Sequence, residues 1–210
     1  MPEIPVSSLE VRLQKLAAQA RIALEQGSLD YALETCGRIL RTAPGCLEVR
    51  RLQRAAQLRR WRERNRVVAK LRGAAVEVRA LLAGGARQEP ARMFADAEAV
   101  LASDPVGVPA LKRLAAAALA LDLPETAVFA GEAVRELRPD DRDNLLRLGE
   151  AWLAARRPEE ALRLAEALLR TQPSDPEAQA LMRQASIAQT VARGKWEAPT
   201  TFRDKLKDGA

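Results

Sequence analysis

Residues 142–175 read RDNLLRLGEAWLAARRPEEALRLAEALLRTQPSD, and this stretch decides the fold. Its apolar and small residues recur at intervals of three and four, in two runs, at Leu145, Leu148, Trp152, Ala161, Ala165 and Leu168. Such intervals place side chains on one face of a helix. Pro158 lies between the runs and suits the first turn of a helix, whereas Pro173 follows the second run and ends it. The stretch therefore predicts two helices that pack as a hairpin.

The same pattern occurs twice more. The preceding 34 residues, 108–141, carry it at Leu111, Leu114, Ala118, Ala127, Gly131 and Val134. Residues 13–46 carry it at Leu16, Gln19, Ala23, Ala32, Cys36 and Ile39. A less regular unit is expected from a first helix near 74–83 and a second over 88–104, and residues 175–192 predict a closing helix. Repeats of this length indicate stacked structural units, so we predict an all-α solenoid of helical hairpins with a C-terminal capping helix.

This spacing resembles the tetratricopeptide repeat (TPR), a helix-turn-helix unit of 34 residues whose first helix carries Leu-Gly and then an aromatic residue. Gly149 and Trp152 match that pattern, whereas Ala115 and Ala118 stand at the same positions in 108–141. The resemblance implies a scaffold protein that holds a peptide or partner segment in a concave groove, which the first helix of each pair lines.

Carried over position by position, the groove consists of Gln14, Ala17, Arg21, Lys112, Ala116, Leu119, Asp143, Leu146, Glu150 and Leu153. Some family members capture a C-terminal carboxylate with paired Lys, Arg and Asn side chains. The matching positions here hold Ala17, Arg21, Ala116 and Glu150, without the Asn pair, so capture of a carboxylate tail is not expected. The mixture of apolar and charged residues favours an amphipathic helix or an extended segment as the partner.

The composition argues against an enzyme. The chain has no histidine, which excludes Ser-His-Asp and Cys-His nucleophile activation as well as His-ligated zinc. The sequence contains no P-loop, no G-x-G-x-x-G and no G-x-S-x-G. Cys36 and Cys46 are too few for a disulfide framework or a zinc site. We therefore expect a non-catalytic protein without cofactor or metal.

The positive charge is concentrated in one segment. Residues 47–72 hold nine Arg and one Lys against two Glu, in a chain whose net charge is +6. No proline lies between residues 47 and 83, so we predict one extended basic helix there. Its candidate basic surface consists of Arg50, Arg51, Arg54, Arg59, Arg60, Arg62, Arg64 and Arg66. This helix fits a solvated bridge between repeats, a site for an anionic protein, or a site for nucleic acid or an anionic membrane.

The sequence predicts four regions: an N-terminal repeat unit (1–46), the basic helix (47–83), a repeat array with its capping helix (84–193) and a tail (194–210). The tail departs from the repeat composition, and it either frays or docks through Trp196, Phe202 and Leu206. No secretory signal and no membrane-spanning run is recognisable, so a cytoplasmic location is expected. The function predicted is a scaffold that binds another protein, with nucleic-acid or anionic-membrane binding through residues 47–72 as the alternative.

Overall fold

The computed structural model describes residues 3–63 and 89–197, with side chains up to residue 192. Throughout this part of the chain the regular structure is helical, which confirms the predicted all-α fold. The chain divides into two compact units, Met1–Pro139 and Asp140–Ala210, called unit 1 and unit 2 below.

In unit 1, the described residues form a short 3-10 turn at Val6–Ser8 and then six helices. These are α1 (Val11–Glu25), α2 (Leu29–Thr42), α3 (Leu47–Glu63), α4 (Pro90–Ser103), α5 (Val108–Ala120) and α6 (Pro124–Leu137). Helix α2 packs against α1 and α3, and α5 packs against α4 and α6. Unit 2 holds α7 (Arg142–Ala154), α8 (Pro158–Thr171) and α9 (Pro176–Glu197), and α9 packs on both α8 and α7.

The three predicted hairpins are confirmed as the pairs α1/α2, α5/α6 and α7/α8. Helix α4 corresponds to the helix predicted over 88–104, and α9 corresponds to the predicted closing helix. The extended basic helix begins at Leu47 as α3 and is described as far as Glu63. Residues 64–83, over which the sequence predicts that the helix continues, and the first helix predicted near 74–83 lie outside the described residues.

The turns inside the hairpins share one backbone geometry. Gly27, Asp122 and Arg156 have φ values of 79°, 59° and 59°, which lie in the left-handed region. The three residues occupy the same position in their repeats, two residues before the second helix begins. Glycine adopts this conformation freely, whereas Asp and Arg occupy it at a cost of about 1 kcal/mol. The repeat therefore fixes the backbone of the turn even where the residue does not favour it.

Small residues allow the helices of unit 1 to approach closely. Ala17 and Ala20 of α1 share a buried cluster with Cys36 and Ile39 of α2 and Val49 of α3. Both thiols are buried and free, and burial raises the pKa of Cys36 to about 11. These thiols therefore behave as small apolar side chains.

Candidate partner-binding site

The groove positions of the first repeat are partly covered by the chain itself. The side-chain amide of Gln14 donates hydrogen bonds to the carbonyl oxygens of Ser7 and Leu9, at 3.0 and 2.7 Å. Ala17 is 4% exposed and belongs to the core, whereas Arg21 is exposed. Of the three predicted positions, Arg21 is the one that α1 presents fully to solvent.

Residues 3–9, called the N-terminal strap, account for this cover. The backbone N–H of Ile4 donates to the carbonyl of Gly45, and that of Val6 donates to the Glu48 carboxylate at 3.1 Å. Ile4 and Val6 also pack against the core cluster of α1, α2 and α3. The strap thus lies along the start of α3 and the loop before it.

The strap also reaches helix α6. The Glu3 carboxylate accepts hydrogen bonds from the backbone N–H groups of Thr126 and Glu125, at 2.6 and 2.9 Å. It accepts a third from the Thr126 hydroxyl at 2.8 Å. The first N–H groups of a helix have no partner within the helix, so an acid placed there stabilises it as a cap does. This role does not follow from local sequence patterns, because Glu3 and Thr126 are 123 residues apart.

On α5, the predicted groove residues Lys112, Ala116 and Leu119 are all half-buried. Their spacing of four and three residues places them on one face of the helix. They therefore line a surface that solvent reaches only in part.

Unit 2 presents the most open of the predicted groove surfaces. Asp143 and Glu150 are exposed on α7, two helical turns apart. Leu146 lies between these two acids and Leu153 follows Glu150. Both leucines are half-buried and pack against the cluster that holds Leu181 of α9. These four α7 residues, called the α7 face below, combine a partly buried apolar floor with two carboxylates.

An ion-pair network holds the starts of α7 and α9 together beside this face. The Arg142 guanidinium donates to both carboxylate oxygens of Asp175 at 2.7 and 2.8 Å, and to Glu177 at 2.6 Å. Asp175 is buried and also accepts hydrogen bonds from the backbone N–H groups of Glu177 and Ala178. The hydrogen bonds from Arg142 lower the pKa of Asp175 to about 2, and the same contacts raise the pKa of Arg142. Asp175 therefore stays ionised and caps α9 at neutral pH.

The basic helix differs from its sequence expectation at Arg50, whose side chain is 3% exposed. Its guanidinium forms an ion pair with Glu98 of α4 and donates to the carbonyl of Pro44 at 2.7 Å. It also lies 4.9 Å from the centre of the Phe94 ring. These contacts join α3 to α4, so Arg50 holds unit 1 together rather than facing solvent.

Arg54, one turn further along α3, has a similar structural role. It donates to the carbonyl of Pro105 at 2.9 Å and lies 5.9 Å from the centre of the Phe129 ring. Burial lowers its pKa. Arg50, Arg54 and Phe129 line a small cavity of about 20 Å³. The polar contact between α3 and α4–α6 therefore depends on two arginines spaced four residues apart.

The remaining predicted basic residues fall into three groups. Arg59 donates to the carbonyl of Leu24 at 3.0 Å, and Arg60 lies 3.1 Å from the Asp30 carboxylate. Arg51 and Arg62 are exposed. Arg64 and Arg66, like the tail residues Phe202 and Leu206 and the side chain of Trp196, lie outside what the structure describes. The basic surface is thus smaller than the sequence suggests over 47–63.

Among the described residues, His, Cys, Asp and Glu do not cluster in the groups of three that a metal site needs. None of the described helices is long and apolar enough to span a membrane.

A family model for the tetratricopeptide repeat matches residues 118–185. Among solved structures, the chain is similar to the first TPR domain of Spaghetti (RPAP3) bound to an HSP90 peptide, with 20% identity and a TM-score of 0.45 over 59% of this chain and 92% of that one. It is also similar to a tetratricopeptide repeat protein from Parabacteroides merdae, with 14% identity and a TM-score of 0.45 over 88% of this chain and 61% of that one. A TPR protein from Thermus thermophilus shows 18% identity and a TM-score of 0.41 over 83% and 81% of the two chains. A search of curated proteins gives no match. The family match confirms the resemblance found in the 34-residue spacing, and residues 118–185 carry the tetratricopeptide repeat.

Proposed function

We propose that this chain is a non-catalytic scaffold that binds a segment of a partner protein on the first-helix faces of its repeats. Tetratricopeptide repeats commonly serve as protein–protein interaction scaffolds, which is the general basis for the proposal. The observation that carries it is the α7 face, because exposed carboxylates beside half-buried leucines offer both charge and apolar area. In unit 1, we propose the exposed Arg21 and the half-buried Lys112, Ala116 and Leu119 as separate contact positions, whereas Ala17 is buried and Gln14 is bonded to the strap.

The α7 face favours a basic and apolar partner segment. Asp143 and Glu150 are seven residues apart, which is about 10 Å along a helix. Lysine or arginine side chains at that separation, with leucine-sized apolar residues between them, would complement the two acids and the apolar floor. A helical partner supplies this with cations at i and i+7, and an extended one supplies it with cations about three residues apart.

The test compares what two charge variants retain from lysate of the native host, using quantitative mass spectrometry. Asp143→Asn with Glu150→Gln removes both carboxylates of the α7 face. Glu34→Gln with Glu166→Gln removes the same charge from exposed positions on second helices and is the matched control. We expect at least one protein to be retained by the wild type and the control and to be depleted at least about tenfold in the α7 variant. Identical retention by the two variants would refute the assigned surface.

We also propose a cytoplasmic location, where buried, unpaired thiols such as Cys36 and Cys46 stay reduced. Fractionation of host cells tests this part. The alternative, binding of nucleic acid or an anionic membrane through α3, loses two of its predicted contacts, because Arg50 and Arg54 are engaged inside unit 1, and keeps the exposed Arg51 and Arg62.

A further inference from the structure

The small cavity of about 20 Å³ in unit 1 lies between α3 and the helices α4, α5 and α6. One wall consists of four α3 side chains that all carry N–H donors, and their spacing places them on one face of the helix: Arg50, Gln53, Arg54 and Gln57. The opposite wall is apolar apart from one carboxylate and consists of Glu98, Leu101, Leu111, Leu114 and Phe129. Among the described residues, the lining therefore offers many hydrogen-bond donors but a single charged acceptor.

Arg50 leaves one of these donors without a partner. Its two terminal nitrogens are engaged, one by the Glu98 carboxylate and the other by the carbonyl of Pro44. Its Nε–H group is buried as well, yet it makes no hydrogen bond within the part of the chain that the structure describes. A buried N–H of a charged group is rarely left unsatisfied, because it has given up its hydrogen bonds to water. The Nε–H group of Arg50 therefore indicates a further acceptor in the cavity that Arg50 lines.

Arg54 adds a second cation to the same wall, and its charge is only partly neutralised. The contacts of its guanidinium are with neutral groups, namely the carbonyl of Pro105 at 2.9 Å and the Phe129 ring. Burial lowers the pKa of Arg54, and the attraction of Glu136, an exposed residue of α6, offsets this effect only in part. The Glu98 carboxylate is already paired with Arg50. A negative charge beside Arg54 would therefore remove an electrostatic cost that the described residues leave in place.

The volume of the cavity limits what can bind there. About 20 Å³ is enough for one particle of roughly the size of a water molecule, whereas carboxylate, phosphate and sulfate groups are too large. A water molecule would satisfy the Nε–H group of Arg50, but it carries no charge and would leave Arg54 uncompensated. A monatomic anion supplies both an acceptor and a negative charge. It also has no proton to donate, so the apolar wall leaves none of its hydrogen bonds unmade.

We propose that this cavity is a binding site for a single halide ion, with chloride as the natural ligand, held by the Nε–H group of Arg50 and the guanidinium of Arg54. The side-chain amides of Gln53 and Gln57 complete the set of donors. The Glu98 carboxylate also lines the cavity and repels the ion, so the binding is weak. A bound chloride links α3 to α4–α6 and stabilises unit 1 as the chloride concentration rises. The site is independent of the proposed partner binding on the α7 face.

Thermal unfolding of the full chain in sodium chloride and in sodium gluconate tests the proposal, because gluconate is too large for the cavity. With a dissociation constant on the order of 10 mM, the Tm of the wild type in about 200 mM chloride should exceed that in about 200 mM gluconate by about 4–7 °C. Sodium bromide should act like the chloride salt.

Two variants assign the effect to the cavity. Arg54→Gln should reduce the Tm difference between the two salts to less than about 1 °C, because it removes the charge that attracts the ion. Arg51→Gln removes the same charge from an exposed position of α3 and should keep the full difference. The difference between salts is compared within each variant, since Arg54→Gln also loses the hydrogen bond to Pro105 and lowers the Tm in both salts.

Anomalous diffraction from wild-type crystals grown in sodium bromide locates the ion directly. One bromide should lie within hydrogen-bond reach of the Arg50 Nε atom and the Arg54 guanidinium. Three results would overturn the proposal. The first is a wild-type Tm that is equal in chloride and gluconate. The second is a chloride effect that Arg54→Gln retains in full. The third is density for a water molecule, without an anomalous signal, beside the Arg50 Nε atom, because water would then be the missing acceptor.

Discussion

The close approach of α7 and α9 at Gly149 leads to a quantitative prediction. A Cβ atom built on Gly149 would lie 3.1 Å from Cδ1 and 3.2 Å from Cγ of Leu181, and closer still to Cδ2. Favourable carbon contacts are about 3.5–4.0 Å. Leu181 is 4% exposed and shares a cluster with Ala161 and Ala165, so its side chain has little room to move. Gly149→Ala should therefore force apart a contact that the wild type uses for packing.

Two opposing effects set the size of the change. Inserting one extra carbon into a packed core costs about 1–3 kcal/mol. Replacing glycine with alanine inside a helix contributes about 1 kcal/mol in the other direction. Gly37, inside α2, isolates the second effect, because its nearest outside atom is 3.9 Å from the added Cβ. Gly37→Ala should stabilise by about 0.5–1 kcal/mol, and Gly149→Ala should be less stable than this control by about 1–3 kcal/mol.

Urea denaturation followed by circular dichroism measures both variants against the wild type. The crowding is attributed to Leu181, so repeating Gly149→Ala in a Leu181→Ala background should turn the substitution stabilising. The coupling energy of that double-mutant cycle should be about 1–3 kcal/mol. Should Gly149→Ala alone stabilise as much as Gly37→Ala, the packing described for α7 against α9 is wrong.

Three further substitutions test the contacts of the strap, the basic helix and the α9 cap. Glu3→Ala should lower the free energy of unfolding by about 1–2 kcal/mol, because α6 loses its cap. The control is Glu89→Ala, since the Glu89 side chain makes no cap hydrogen bond to α4. This control should change the free energy of unfolding by less than about 0.5 kcal/mol. Arg50→Ala should lower the free energy of unfolding by about 2–4 kcal/mol, because it leaves the partly buried Glu98 carboxylate without its ion pair. Arg51→Ala changes an exposed neighbour and should stay within about 0.5 kcal/mol of the wild type. Equal losses of stability in the two variants would contradict the burial of Arg50. Because the pKa of Asp175 is lowered to about 2 from about 3.9 when unfolded, its stabilisation is complete above about pH 4 and is lost as the pH falls through 2. Asp175→Asn should thus lower the Tm at pH 7 and differ least from wild type near pH 2, whereas a gap that does not change with pH would refute the ion pair.

The helical hairpins follow from the sequence because their signals are local. Apolar intervals of three and four and prolines at the first turns of helices, such as Pro124 and Pro158, all act within one repeat. The left-handed turns at Asp122 and Arg156 could not be predicted from the residue type, because neither Asp nor Arg favours a positive φ as Gly27 does. At these two turns the position within the repeat, rather than the residue type, indicates the left-handed backbone.

The polar contacts of unit 1 could not be predicted from spacing. Arginine is mostly exposed in proteins, so a run such as Arg50 and Arg54 predicts a solvated face. Their partners lie far along the chain: Glu98 is 48 residues from Arg50, and the carbonyl of Pro105 is 51 residues from Arg54. A helical period says which side chains share a face, but not which distant segment covers that face. The contact of the N-terminal strap could not be predicted for the same reason, because Glu3 caps α6, a helix that lies far along the chain.

The solvent-facing side of α9, which carries Met182 and Ile187, shows that the same repeat register gives different surfaces in α7 and in α9. Where α7 has Leu145 and Trp152, α9 has the polar Gln179 and Ser186, so part of the apolar surface that a second helix would bury has been replaced. Met182 and the neighbouring Ile187 keep the rest apolar. A face that is always covered has no reason to become polar, and a face that is always solvated has no reason to stay apolar. The intermediate polarity of this side of α9 therefore matches neither a buried helix face nor a fully solvated one.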